Sequence, residues 1–540
     1  MPAFFRAPHR LAWAVAVVIG ALALIAANGS LLYGFLATPP GTRFIGVRTL
    51  LPADPPVYYS YLRQIQDGSW TLRDIFTAEP QPVGTLNVLW LTLGTVGRLL
   101  ALSPITTFHV SRVLLGVVLL VVLYRGIAWF LADRWERVAA FALTLSGGVG
   151  IWLVPFLPHA EYLDRGAGYR WPVDLWLPWS SPMLSLGSSP HLVASWALLV
   201  GTILLVAGAA EQRSFKASWA AGIAAAVLLN FHPYHWPTLL AVPVGWLLLR
   251  WRNVHRMPLD VAPYLLPLVL AVGGSLAYHA WLLSVDPVSA ARALQNISRL
   301  PPLPYVLAGL GAVVVLAAFG ARTYFARTET SRWWIGAWLA AAMVLTLLPS
   351  QFQARYLQGL LFPLGIIAAP AAVTMLRWVK RRGGWPGASV AIVLAAAVLL
   401  GSPLGIAARD LQYYRKFPAS YYFPNDFFTA AAWAREHIRP GEAILAAHDS
   451  GMWLGAFTAR TMYFGHGDET INSAAKRPVV EQFYASSDPA LRAALLKRTG
   501  ARYVWYGFLD RAAAAVPPDD VPGLAPVFVN SAGTMFGATP

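Results

Sequence analysis

Apolar stretches of roughly twenty residues recur along this chain, the length a helix rising about 1.5 Å per residue needs to cross a hydrocarbon core. Leu11 to Ala27, Val110 to Leu131 and Leu192 to Ala210 are examples. A core helix of a water-soluble protein is rarely so long and unbroken, so the solvent for most of this chain is lipid. Composition agrees: of 540 residues, 57% are hydrophobic and only 12% charged, about half the charge of soluble domains. The first stretch lacks a small-residue cleavage pattern and runs on to Pro39 and Pro40. It reads as a retained anchor, with a cleaved signal peptide as the alternative.

On a soluble chain a net charge of +16 would point to nucleic acid. Here the basic residues punctuate the apolar stretches in short loops: Arg134 with Arg137, Arg213 with Lys216, Arg250 with Arg252 and Arg256, Arg322 with Arg327 and Arg332, Arg377 with Lys380, Arg381 and Arg382. The positive-inside rule assigns these loops, and the terminus bearing Arg6 and Arg10, to the cytoplasm. No nucleic-acid partner is expected. The absence of cysteine removes disulfides and thiol chemistry.

Crossing helices are expected near 11–30, 108–131, 138–157, 190–210, 218–231, 236–249, 259–283, 303–321, 333–349, 356–376 and 386–408. Counting Leu86 to Leu102 as a further span would put every basic loop on the wrong side. With Trp90, Gly94, Gly97 and Arg98 it reads instead as a helix lying at the outer interface. The expected fold is an all-α polytopic membrane domain over 1–409, with about eleven crossings, followed by a small extracytoplasmic α/β domain over 410–540. Two long outer loops, 29–107 and 158–189, join that tail outside. In the tail, Asn425 is expected to cap a helix over Phe427 to His437, Ala443 to Ala447 and Tyr503 to Tyr506 to form strands, and Glu481 to Lys497 to be helical.

Chemistry is therefore sought on the outer side. The first loop reads Asp54-Pro55-Pro56-Val57-Tyr58-Tyr59-Ser60-Tyr61-Leu62-Arg63, then Gly68-Ser69-Trp70, with Glu79-Pro80 ahead of the interfacial helix. An acid at the mouth of a bilayer, followed by a helix carrying Tyr58, Tyr61 and Arg63, is placed to serve as a general base over a lipid-borne substrate. A helix-capping aspartate is the plainer reading of Asp54.

This layout resembles the membrane glycosyltransferases of the GT-C fold, most closely the bacterial aminoarabinose and protein-mannosyltransferase-like families. Arg112 opening the second span and Arg137 with Ala139 and Ala140 opening the third continue the likeness, as do the acid-bearing second loop and the outer tail. The resemblance implies an inverting transferase of the cell inner (plasma) membrane, its N-terminus cytoplasmic. Such an enzyme takes a sugar from a polyprenyl phosphate and passes it to a lipid-linked, glycan or protein acceptor outside. It implies Asp54 as catalytic base and Glu79 as a second acid, with Tyr58 and Arg63 in the substrate site. It assigns no cofactor and leaves room for a divalent cation.

The second outer loop carries Glu161, Asp164 and, in Arg170-Trp171-Pro172-Val173-Asp174-Leu175-Trp176, an acid among aromatic residues of the kind sugar sites use. Asp174 is the substrate-binding candidate, an interfacial tryptophan belt the alternative. Pro190-His191 opens the fourth span, and Phe231-His232-Pro233-Tyr234-His235-Trp236 joins the fifth to the sixth. Ionisable groups at membrane depth are costly and mark function. Related transferases often have Thr-Lys-Gly at the second position, so the resemblance implies His232 in place of that lysine, a departure from the pattern; a helix-terminating turn with hydrogen-bonded imidazoles is the alternative. Pro233 breaks the register a zinc site would need, and no metal ligand is assigned. Arg355, in Gln353-Ala354-Arg355-Tyr356, matches an Arg-Tyr near the carrier phosphate in the resembling families, and a guanidinium fork suits that anion. The turn Tyr463-Phe464-Gly465-His466-Gly467-Asp468-Glu469-Thr470 either binds an acceptor or caps a helix. A flippase or transporter of lipid-linked saccharides and a non-catalytic envelope scaffold are the rival classes. A transporter would place acids and Gly/Pro breaks at midplane in inverted repeats, whereas the charges here crowd the outer ends.

Overall fold

The structure, a computed structural model, describes residues 10–164, 166, 168–254, 259–327, 331–513 and 515–538; Arg6 and Arg256 lie outside the described residues. The expected crossing stretches carry the helices Arg10–Leu36, Pro104–Phe130, Arg134–Leu145, Pro190–Gln212, Phe215–Phe231, Trp236–Val254, Ala262–Val285, Leu303–Phe325, Arg332–Leu347 and Leu361–Tyr414. Among the described residues, six segments are long and apolar enough to cross a membrane, or seven if Arg134–Leu145 and Gly150–Phe156, bent by 58°, count as one broken span. Leu361–Tyr414 is two helices meeting at a kink at Gly384 (φ 62°), a left-handed conformation that glycine adopts without strain. The stretch expected at the interface is the helix Val88–Leu99. Its twelve residues rise about 18 Å, short of a hydrocarbon core roughly 30 Å thick.

Local chemistry sets many of these boundaries. Proline, which lacks the N–H that a first turn leaves orphaned, opens Pro104–Phe130, Pro190–Gln212 and Pro287–Gln295. Short polar side chains cap others. Asp133 Oδ1 accepts from Trp135 N and Glu136 N at 2.8 and 3.0 Å, Asn87 from Trp90 N at 3.2 Å, and Asp286 from Ser289 N at 3.1 Å.

Two compact units emerge. The first comprises Met1–Ser30, Ser111–Tyr278 and Ile297–Arg409. Its core is made of fully buried Trp196, Trp338 and Phe362, with Trp246 and Trp334 stacked at 4.4 Å. Within it the helix Arg134–Leu145 stops at Ser146 and resumes at Gly150. Backbone freed at such a break needs new partners in an apolar setting. Gly147 N reaches Leu399 O at 3.0 Å and Val149 N reaches Ala308 O at 3.2 Å. Val149 can approach so closely because Gly311 bends the facing helix at φ 51°; a Cβ at Gly311 would lie 2.8 Å from Val149 N.

The second unit comprises Leu31–Val110, His279–Asn296 and Asp410–Pro540, so most of the stretch 29–107, expected as the first outer loop, groups with the tail. Thr42–Phe44 pairs antiparallel with Tyr422–Pro424. Buried Arg48 donates from Nε to Asp410 Oδ2 at 2.6 Å, and Thr49 donates to Oδ1 from N and Oγ1 at 3.0 and 2.6 Å. The tail sheet runs Ile444–Leu445, Tyr503–Gly507, Gly533–Ala538, Leu524–Asn530 in spatial order, its first pair parallel and the others antiparallel. Helices Asn425–His437, His448–Thr458, Ser473–Ala485 and Pro489–Thr499 accompany it. The single helix expected over Glu481 to Lys497 is broken, because Asp488 caps a new one, accepting from Ala490 N at 2.9 Å, with Pro489 as its first residue.

Candidate functional site

In the first unit, the turn after Phe215–Phe231 and the short 3-10 segment Gln353–Leu357 gather a set of aromatic and basic groups. The Arg355 guanidinium lies 3.8 Å over the Trp179 ring and 5.1 Å from that of Tyr234, and its Nε donates to Ser298 Oγ at 3.2 Å. With Nε committed, the two terminal amino groups of a half-buried, ring-held guanidinium are what an anion would meet. His232 sits 4.9 Å from the Tyr234 ring and 5.0 Å from that of His191. His191 Nδ1 contacts Ser189 Oγ at 2.5 Å.

Fully buried His235 has its tautomer set by its neighbours. Gln358 Nε2 donates to Leu192 O at 3.4 Å and to Ser195 Oγ at 2.5 Å, so its amide oxygen faces His235 Nε2 at 3.0 Å. That ring nitrogen therefore carries the proton. Nδ1 of His235 and Nδ1 of His232 are buried with no hydrogen-bond partner among the described residues. Among the expected site residues, His191, His232 and Arg355 thus come together.

Asp174 does not join them. It is fully buried, and its Oδ2 accepts from Ser402 Oγ at 2.5 Å and from Gly150 N at 3.1 Å, so it caps the resumed helix. Burial pushes its carboxyl up to about 6, against those bonds.

In the second unit, Asp54 opens the helix Asp54–Gln66, with Pro55 and Pro56 in its first turn. Neither proline offers an N–H, while the positive end of the helix favours a carboxylate there. Tyr58 is stacked on Trp90 at 5.0 Å and on Phe108 at 6.2 Å, and Arg63 faces Asp67 one turn on at 3.6 Å. Glu79 accepts from Lys476 Nζ at 2.7 Å and from Thr77 Oγ1. Burial pushes its carboxyl upward, but those donors together outweigh it and hold the group below its ordinary range.

Beside these lies a partly buried charge cluster around Arg292 whose members are distant in sequence. Arg292 Nε is 3.4 Å from Asp74 Oδ2, its Nη2 donates to Tyr61 OH at 3.0 Å, and Glu469 pairs with it closely. Asp74 is further held by Phe76 N, which donates to Oδ1 at 2.9 Å. Burial raises the Asp74 carboxyl, Arg292 opposes the shift and Glu469 adds to it. Among the described residues, no group of three or more His, Cys, Asp or Glu side chains is arranged to hold a metal ion.

Sequence reasoning missed Trp179, Tyr234, His235 and Gln358 around Arg355, and Asp74, Arg292 and Lys476 in the second unit. Tyr234 and His235 were visible beside His232. The others meet only across long sequence separations.

No protein-family model matches the sequence, and no curated protein does. Solved structures do match its fold. ArnT from Cupriavidus metallidurans, bound to undecaprenyl phosphate, aligns at 14% identity and a TM-score of 0.53, covering 97% of this chain and 99% of that one. The Archaeoglobus fulgidus oligosaccharyltransferase tethered to an acceptor peptide aligns at 13% identity and a TM-score of 0.51, covering 91% and 69%. The same organism's AglB with an inhibitory peptide and a dolichol-phosphate aligns at 12% and 0.51, with the same coverage. At such identities the likeness is one of fold: the chain has the GT-C fold of these membrane proteins.

Proposed function

We propose that this chain is a membrane glycosyltransferase that moves a sugar from a polyprenyl-phosphate carrier to an acceptor on the outer face. The observation that carries the reading is Arg355, its guanidinium 3.8 Å over the Trp179 ring and 5.1 Å from that of Tyr234, in a chain of GT-C fold. The polyprenyl phosphates seen with ArnT and AglB support a carrier of that class. In the proposed step the acceptor oxygen attacks the anomeric carbon as Asp54 takes its proton. The bond from that carbon to the phosphate oxygen breaks, configuration inverts, and the carrier leaves as polyprenyl phosphate; Arg355 is the anion-binding group of the first unit in this reading. His191 and His232 line the phosphate end. Glu79, fixed by Lys476, orders the loop that follows Asp54; Tyr58 and Arg63 support the Asp54 helix, and Asp174 supports the broken helix at Gly150. Residues 410–540 belong to this reading as an extracytoplasmic domain and the N-terminus as cytoplasmic, in a plasma (inner) membrane.

The test supplies purified protein with a panel of radiolabelled polyprenyl-phosphate sugars and compares wild type with Asp54→Asn. Removing a general base should slow transfer by about 100-fold or more. Undiminished transfer by the variant would remove Asp54 from the mechanism. No transfer from any donor, alongside saturable flipping in vesicles, would favour the transporter.

A further inference from the structure

The tail turn 465–471 is hydrogen-bonded to the first outer loop at several points. Thr470 Oγ1 donates to Phe76 O at 2.7 Å, and Ile471 N donates to Thr77 Oγ1 at 3.1 Å. His466, only 5% exposed, lies in the middle of this turn. Its Nδ1 accepts from two backbone groups, Asp468 N at 3.0 Å and Glu469 N at 3.1 Å. An imidazole nitrogen that accepts twice carries no proton, so the proton of the neutral ring is on Nε2. That nitrogen is 3.2 Å from Ala53 O and donates to it. Burial holds the imidazole below its ordinary range, against the pull of Glu469 and Asp468, which keeps this neutral tautomer in place.

Ala53 is the residue before Asp54 and the N-cap of its helix, yet it has no side chain with which to cap. Pro55 and Pro56 further remove two backbone donors from the first turn. The bond from His466 to the Ala53 carbonyl therefore ties the start of this helix to the tail turn. We infer that His466 of the C-terminal domain is a positioning residue for Asp54: by holding the Ala53 carbonyl, it fixes the first turn from which the carboxylate projects. The inference rests on Asp54 being the base, and it gives the tail a part in the chemistry.

The test uses the full-length protein in detergent. His466→Asn keeps a short-range acceptor for the turn amides but has no distal N–H for Ala53. The amides of Asp54 and of residues 57–60 should exchange at least about tenfold faster. The kcat should fall about 10- to 100-fold, as expected for a displaced catalytic group, with the donor KM within about twofold of wild type. His466→Gln, whose amide nitrogen reaches as far as Nε2, should keep kcat closer to wild type than Asn does. Wild-type exchange and kcat in His466→Asn would overturn the inference. So would equal losses of kcat and thermal stability in both variants, which would mark a purely structural residue. Asp54→Asn, assayed alongside, separates the two readings. If it is inactive while His466→Asn turns over normally, only this inference falls; if it transfers as wild type does, the role of Asp54 falls and takes the inference with it.

Discussion

Replacing Arg355 by lysine keeps the positive charge and removes the shape. The guanidinium lies 3.8 Å over Trp179 and 5.1 Å from Tyr234, and such contacts contribute about 0.5–1 kcal/mol each when partly exposed. A planar fork also gives a phosphate two parallel hydrogen bonds where an ammonium acts as a point charge, and a bond to a charged group is worth about 1.5–3 kcal/mol. Losing both ring contacts and one such bond amounts to about 2.5–5 kcal/mol, or roughly a 70- to 5,000-fold weaker affinity for the carrier. Titrating purified Arg355→Lys with a polyprenyl phosphate, and measuring the donor KM, should show that loss. Trp179→Leu, which leaves the charge in place, should show a smaller loss of the same kind. A donor KM within about threefold of wild type in Arg355→Lys would refute the reasoning, because two stacked contacts and a fork cannot be worth so little at a phosphate site.

Asp410→Ala removes the carboxylate that Arg48, 8% exposed, donates to at 2.6 Å, and breaking this buried pair should lower stability by about 3–5 kcal/mol. Thermal melts in detergent check this, and the pair Arg48→Met with Asp410→Leu should lose less, because neither charge is left buried. Asp74 sets a pH dependence. Burial pushes its carboxyl up to about 7, opposed by Arg292 and reinforced by Glu469 and Glu79, whereas the unfolded value is about 3.9. Between those values the folded chain holds a proton that the unfolded chain has released. The contribution is therefore complete below about pH 4 and is lost as pH rises through about 7. Melting temperatures should fall from pH 5 to pH 8 more steeply in wild type than in Asp74→Asn; parallel curves would sink this assignment.

The helices were legible because their causes are local. Apolar length, an opening proline or a capping Asp, Asn or Ser act within a few residues, and the stretch at Leu86 to Leu102 was set apart by the placement of charge along the chain and by its own Trp90, Gly94, Gly97 and Arg98. Local rules failed where a distant group competed for the same atoms. Asn425 looks like a cap, but its Oδ1 accepts from Arg43 Nε at 3.0 Å and its helix starts without a side-chain cap. The strand expected over Ala443 to Ala447 shrinks to Ile444–Leu445, because pairing with Tyr503–Gly507, and not propensity, sets its length. Asp174 stood among aromatic residues as a ligand would, and the fold instead turns it onto Gly150 and Ser402.

What the amino-acid sequence determined by itself was the solvent, the periodic helices and the candidate acids Asp54 and Glu79. These follow from transfer free energies and backbone geometry, which depend on nearest neighbours in the chain. Tertiary structure alone decided which candidates are held and by what: Arg355 between Trp179 and Tyr234, Glu79 on Lys476, Arg292 among Asp74, Tyr61 and Glu469, and His466 on the carbonyl before Asp54. The reason is that a buried polar group must find its partner wherever the folded chain brings one, at whatever distance in sequence.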